Sequence, residues 1–203
     1  RTRRGSNDSC RPASADRPAT GSAPSGEHGR RCAGSVRSVT PEDLVVIEEI
    51  KRLRYRYARA LDQKDWRTFE ACLAPHASAS FGGGAYSFTN RTDIVRFVRD
   101  TAGVSTVLGS HHFHHPEIDL TGDDEVAGVW VMADRVILTD LDLVVEGAAY
   151  IEDHYERIDG AWTIAQTAYR RLYEVVYPHS SIAGYQITGD WFGSGGRSDL
   201  TVD

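Results

Sequence analysis

The run His111-His112-Phe113-His114-His115 gathers half of the chain's eight histidines into five residues. Imidazole exchanges a proton near neutral pH, so such a cluster suits acid–base catalysis or metal binding. On an extended strand, alternation sends His111, Phe113 and His115 to one face and His112 and His114 to the other. At least one ring must then face inward. Histidines at i and i+2 can share a metal ion, but neutral-imidazole sites usually recruit a close carboxylate, and the nearest in sequence is Glu117. Acid–base use ranks above metal binding, and neither a metal nor a cofactor is expected.

Other polar residues could serve such a histidine. Asp134 interrupts the apolar run from Val129 to Leu138, and a carboxylate in such a strand must be paired or functional. Adjacent strand residues point oppositely, so Arg135 is a poor partner for it. A histidine on the next strand is a natural one, held by the aspartate in one tautomer. Tyr57 and Asp62 stand five apart near the end of a helical pattern, close neighbours around its final turn. Taken alone, Tyr57 reads as core and Asp62 as a solvated helix end. Arg170 and Arg171 close the run 162–169. Parity puts Arg170 on the Trp162/Ile164 face, expected to be the inner one, where it could hold a substrate oxygen by paired hydrogen bonds. The competing reading is a surface arginine.

The elements that must position these groups are legible. Thr40-Pro41-Glu42-Asp43 is a helix start, with a capping threonine, a first-turn proline and two acids facing the positive end of the helix dipole. Leu44, Ile47, Ile50, Tyr57 and Leu61 recur near helical spacing after it. A second short helix is predicted over 66–73, closed by Pro75, and a third over 92–101. Strands are predicted over 110–120, 126–138, 143–158 and 162–176, the last two joined by the hairpin signal Asp159-Gly160. Helices followed by hairpin-linked strands mean an α+β fold with helices on one face of an antiparallel sheet.

Composition sets the outer bounds. The chain has 203 residues, is 40% hydrophobic, and can bury one sizeable core. No apolar run approaches a membrane span, so no membrane partner is expected. Residues 1–38 hold eight Arg against Asp8, Asp16 and Glu27, a net charge of +5, whereas the rest carries −11. An acidic body argues against nucleic acid as a partner. Of three cysteines, only Cys72 lies outside the tail, which suits a reducing, cytoplasmic setting. Residues 1–38 lack large apolar side chains other than Val36 and read as a disordered tail. The folded domain is expected over 39–180. Residues 181–203, Gly- and Ser-rich with Trp191 and Phe192 as anchors, read as a flexible segment or a lid.

Three phrases in order carry a resemblance: Tyr57-Ala58-Arg59-Ala60-Leu61-Asp62-Gln63-Lys64-Asp65-Trp66, then Ser110-His111-His112-Phe113-His114-His115-Pro116-Glu117-Ile118, then Trp162-Thr163-Ile164 leading to Tyr169-Arg170-Arg171. Over about residues 40–177 the chain resembles SnoaL-like domains of the nuclear transport factor 2-like superfamily. The resemblance implies a cone, with N-terminal helices packed in the concave face of a curved antiparallel sheet around a deep apolar pocket. It is nearest to the bile acid 7α-dehydratase and scytalone dehydratase type. Their site maps here onto Tyr57, Asp62, His111 and Asp134 as catalytic residues and Arg170 as a substrate-binding residue. His111 is preferred to His112 because it stands five before Pro116, and Arg171 is the alternative to Arg170.

The expected function is a cofactor-independent dehydratase, isomerase or cyclase acting on a hydrophobic cyclic molecule such as a steroid or polyketide. His111, oriented by Asp134 or Asp62, would be its base. Family habit implies a dimer or trimer. The alternatives are a non-catalytic pocket protein that binds a small lipophilic ligand and an accessory domain assembling through its sheet. Fold alone does not decide among them.

Overall fold

The computed structural model describes residues 38–200, so all but the last residue of the expected tail over 1–38 lies outside the described residues. Helix α1 (Pro41–Gln63) begins as its sequence dictates. The Thr40 side chain accepts from the Asp43 amide at 3.2 Å, and the Asp43 carboxylate accepts from the Thr40 amide at 2.9 Å. This reciprocal box satisfies two donors that a helix start leaves open. Ile50, Leu53, Tyr57 and Ala60 form the buried stripe of α1. The helix ends where Lys64 adopts a left-handed conformation (φ 57°). There the Lys64 ammonium donates to the carbonyls of Ala102, Val104 and Val107, each at 2.7 Å.

Helix α2 (Trp66–Ala71) is short, and α3 (Arg91–Ala102) is capped by the Asn90 side chain. The strands are β1 (Leu73–Phe81), β2 (Tyr86–Phe88), β3 (Val107–Leu120), β4 (Glu125–Leu138), β5 (Leu143–Ile158) and β6 (Ala161–Tyr177). They form one sheet in the order β2-β1-β6-β5-β4-β3. The four long strands make an antiparallel meander, as the hairpin signals predict.

The first two strands depart from the expectation. The second helix was expected to reach residue 73, but the chain is already extended there, and β1 runs parallel to β6. Pro75 therefore lies inside a strand rather than closing a helix. It is tolerated because the β1–β6 register is irregular between Leu73 and Ser78, and a proline can occupy a place where no ladder bond is required of it. The sheet is thus mostly, not wholly, antiparallel.

Bulges curve this sheet and aim its side chains. One interrupts β3 between His114 and Glu117, where His115 takes a left-handed conformation (φ 47°). It removes His115 from the face shared by His111 and Phe113, and His115 is exposed. A second lies in β6, where Tyr155 pairs with Ile164 but His154 pairs with Gln166. Ala165 is the extra residue. Trp130, Tyr155, Phe69, Ile50, Leu73 and Ile164 form the most deeply buried part of the core between helices and sheet.

Candidate active site

The helices do not fill the concave face completely. A cavity of about 320 Å³ remains between α1, α3 and the inner face of β3–β6. Leu61, Phe97, Val107, Met132, Leu138 and Ile151 supply much of its apolar wall. Its volume lies at the small end of the range for ligand pockets. Tyr57, Asp62, His111, Asp134 and Arg171 all line it.

Asp62 and His111 form the tightest polar pair in this wall. One Asp62 oxygen lies 2.6 Å from His111 Nδ1, and the other accepts from the His111 backbone amide at 3.0 Å. An ionised carboxylate can only accept, so Nδ1 is the donor, and in the neutral ring Nε2 is then the nitrogen with the free lone pair. Among the described residues Nε2 has no hydrogen-bond partner. The ring is therefore fixed in orientation and tautomer and remains reachable. Gly109 helps to seat it: a Cβ there would stand 3.3 Å from His111 Cε1 and 3.6 Å from Asp62 Oδ1.

Asp134 does not orient the histidine. It stands directly across from His111 in the β3–β4 ladder, as strand adjacency suggests, but both its oxygens turn to Arg171. The guanidinium nitrogens approach them at 2.5 and 2.9 Å. The Asp134 side chain is only 2% exposed, and this fork–fork pairing satisfies it. The lane between them crosses β5 at Gly147, the ladder partner of Asp134. A Cβ at Gly147 would come within 3.0 Å of Arg171 Nη1 and 2.7 Å of the Tyr173 carbonyl oxygen. Arg171 also meets Glu174 at 3.1 Å.

The inward arginine is Arg171, and Arg170 is exposed on the opposite face. Simple alternation from Trp162 and Ile164 puts Arg170 inside. The bulge at Ala165 inserts one residue and inverts the parity beyond it, so Thr167, Tyr169 and Arg171 point inward instead. His112 is also outside, bonded to the Ser110 hydroxyl at 2.9 Å.

Tyr57 is buried against Phe69, with ring centroids 4.6 Å apart. Its hydroxyl bonds to no described residue. Burial pushes its pKa up to about 12, against the opposing pull of the Arg54 cation. At neutral pH it is a proton-bearing donor.

One charged group escaped the sequence reading. Arg54 is 2% exposed and lines the same cavity. It lies on the α1 stripe between Ile50 and Tyr57, and an arginine at an apolar-stripe position is the signal that could have revealed it.

The C-terminal segment borders this region. Ile187, Asp190, Trp191 and Phe192 line a shallow groove together with Asp62 and Gly109. The Asp190 carboxylate accepts from the Phe192 and Gly193 amides, and the Phe192 ring lies 4.4 Å from the Lys64 ammonium.

With helices, sheet and polar wall in this arrangement, residues 42–168 match the SnoaL-like domain model. The chain belongs to the SnoaL-like family. Its fold is that of the nuclear transport factor 2-like superfamily. Among solved structures it is similar to a putative scytalone dehydratase from Novosphingobium aromaticivorans DSM 12444, at 19% identity and a TM-score of 0.62, over 66% of this chain and 89% of that one. It is similar to hexachlorocyclohexane dehydrochlorinase LinA-type3 from Novosphingobium barchaimii LL02, at 16% identity and 0.62, over 72% and 97%. ActVI-ORFA from Streptomyces coelicolor matches at 13% identity and 0.55, over 63% and 98%. At these identities the SnoaL-like fold is what the likeness shows. Among the described residues no cluster of three or more metal-ligating side chains occurs, and no helix is long and apolar enough to cross a membrane.

Proposed function

We propose that this SnoaL-like protein is an acid–base lyase or isomerase whose substrate is a compact, hydrophobic, cyclic molecule bearing oxygen. The Asp62–His111 pair set in the wall of an apolar cavity carries this reading. A histidine with Nδ1 tied to a carboxylate and Nε2 unpartnered is arranged to remove a proton and to hold it as imidazolium. The likeness to proteins described as a dehydratase and a dehydrochlorinase supports elimination as the reaction class.

In the proposed elimination, His111 Nε2 takes a proton from carbon beside a carbonyl. The C–H electron pair moves onto the carbonyl oxygen as an enolate and then returns to form the new C=C bond as the C–O bond on the next carbon breaks. The imidazolium proton then joins the departing hydroxyl as water. Tyr57, un-ionised at neutral pH, donates a hydrogen bond to the carbonyl or to the leaving oxygen. Arg171 takes the substrate-holding role first assigned to Arg170, and Asp134 fixes its guanidinium. No step in this scheme needs a bound metal or nucleotide. The small volume favours fewer fused rings than a steroid carries.

The test is incubation with a panel of hydroxylated cyclic ketones and mass readout for loss of water. His111→Ala should lower turnover by roughly 10²–10⁴-fold, the usual scale of general acid–base assistance, with the melting transition retained. Unchanged rates would remove the histidine from the reaction. Saturable binding with no turnover of any panel member would instead support a pocket protein.

A further inference from the structure

Arg54 is an unusual group to find in a cavity wall. A guanidinium is almost never fully buried unless it is paired and its donors are used. Among the described residues its only ion-pair partner is Asp153, at 3.5 Å from Nε and with a fully buried side chain. That distance and its angle give no hydrogen bond, and Nε and Nη1 of Arg54 are both buried without one. Asp153 Oδ2 is engaged elsewhere, accepting from the Tyr155 hydroxyl at 2.6 Å. Tyr155 in turn accepts from the Trp130 indole at 2.9 Å.

The faces of the Arg54 plane are also occupied. Its central carbon lies 4.5 Å from the Tyr57 ring centroid and 4.3 Å from that of Phe113. Aromatic faces stabilise the cation without consuming its N–H groups. What remains is the in-plane edge: Nε and Nη1 are sealed in, and Nη2, neither sealed nor bonded to a described residue, is the nitrogen that can meet an oxygen in the cavity. At 2% exposure Arg54 is also the most buried charged residue lining this cavity. A cation so placed, with unused donors, lacks an acceptor that the protein does not supply.

We infer that Arg54 receives the substrate's carbonyl oxygen at the inner end of the cavity, so that the preferred substrates carry an enolisable ketone or a phenol there. This inference rests on the proposed acid–base reading and deepens it. When His111 removes the α-proton, the freed electron pair moves onto that oxygen as the enolate. A buried guanidinium stabilises the charged oxygen more than the neutral one, which lowers the barrier rather than merely tightening binding. Tyr57, stacked on the same guanidinium, is placed to donate to the same oxygen.

The experiment measures ionisation of a bound phenol, which requires no turnover. A series of nitrophenols is titrated against the protein, and absorbance separates phenolate from phenol. The wild type should bind phenolate at least tenfold more tightly than phenol. Arg54→Met together with Asp153→Asn removes both buried charges, which protects folding, and should abolish that preference while neutral phenol still binds. Arg54→Lys should keep part of it. Arg171→Met together with Asp134→Asn, which removes the other buried ion pair, and His111→Ala should leave the preference in place. An unchanged preference in the Arg54→Met/Asp153→Asn variant overturns the inference. So does its loss in His111→Ala or in Arg171→Met/Asp134→Asn, or a wild type that binds no phenolate. A phenolate preference that depends on Arg54, found in a protein without detectable turnover, would retain Arg54 as a recognition residue and refute the enzyme reading alone.

Discussion

Two arginine–aspartate pairs set their arginines in the wall of the same cavity and are built on opposite plans. Arg171 and Asp134 meet fork to fork across the intervening strand β5, with both carboxylate oxygens satisfied; Arg171 Nε has Glu174 at 3.1 Å but no hydrogen bond. Arg54 and Asp153 lie deeper, touch at one edge at 3.5 Å, and leave donors and an acceptor unused. Desolvating charge is costly, and the cost is recovered only when geometry and additional hydrogen bonds are good. The Arg171 pair recovers it within the protein. The Arg54 pair does not, and the difference separates a guanidinium held in place by the protein from one left open to an added oxygen.

Breaking each pair should expose the contrast. Arg171→Met leaves Asp134 buried with no counter-ion and should destabilise the fold by about 3–5 kcal/mol in urea unfolding at neutral pH. The double variant Arg54→Met/Asp153→Asn should cost clearly less, because it removes both charges of a poorly formed contact and leaves neither buried alone. Equal losses would erase the distinction.

Alkaline titration sharpens it. Burial raises Tyr57 to about 12 and lifts Tyr155 well above its ordinary value. A folded-state pKa above the unfolded one means that the native protein holds protons the unfolded chain releases. The stabilisation is complete below about pH 10 and is lost as pH rises toward 12. For Tyr57 alone this is about 2–3 kcal/mol. Because the Arg54 cation pulls the Tyr57 value down, Arg54→Met should move tyrosinate formation, followed by ultraviolet absorbance, to still higher pH. Arg171→Met should leave the Tyr57 titration where it is. A common shift in both variants would show that the two cations act on one shared environment.

Smaller effects should come from the glycines that clear space for polar groups. Gly147→Ala pushes a methyl toward Arg171 and the Tyr173 carbonyl and should cost about 1–3 kcal/mol, read as a lowered denaturation midpoint. Gly109→Ala meets only the edge of the His111 ring, which can yield by a few tenths of an ångström. Its stability loss should be under about 1 kcal/mol. Turnover should still fall by about tenfold, because rate is more sensitive than folding to the angle of the base. A large stability loss with full activity would mean that the glycine supports the strand and not the imidazole.

Much of this arrangement is legible in the residues. The capping box at Thr40, the α1 stripe and the hairpin at Asp159-Gly160 are local signals, and they lead directly to α1, β5 and β6. The convergence of Tyr57, Asp62, His111 and Asp134 follows from family phrases, since no single spacing forces helix and strands together. What escaped depends on non-local geometry. β2 has only three residues and β1 only a short alternation of small residues from Ala77 to Phe81, and β1 is ordered by parallel pairing to a strand some ninety residues later in the chain. The inward arginine depends on one extra residue at Ala165, which no parity argument can detect. The partner of Asp134 depends on Gly147 leaving a lane across an intervening strand. Arg54 was hidden because a charge within an apolar stripe reads as noise until its burial is known.

The Lys64 ammonium, grasped by three carbonyl groups, ties the end of α1 to the end of α3 and the entry of β3. Asp62 is two residues from that knot on one side, and His111 is four residues beyond it on the other. The reach between carboxylate and imidazole is therefore governed by a small anchorage at the surface of the helix layer. Warming that loosens this anchorage would extinguish proton transfer while the sheet behind it still stands, so the temperature at which the protein stops working should lie below the temperature at which it melts.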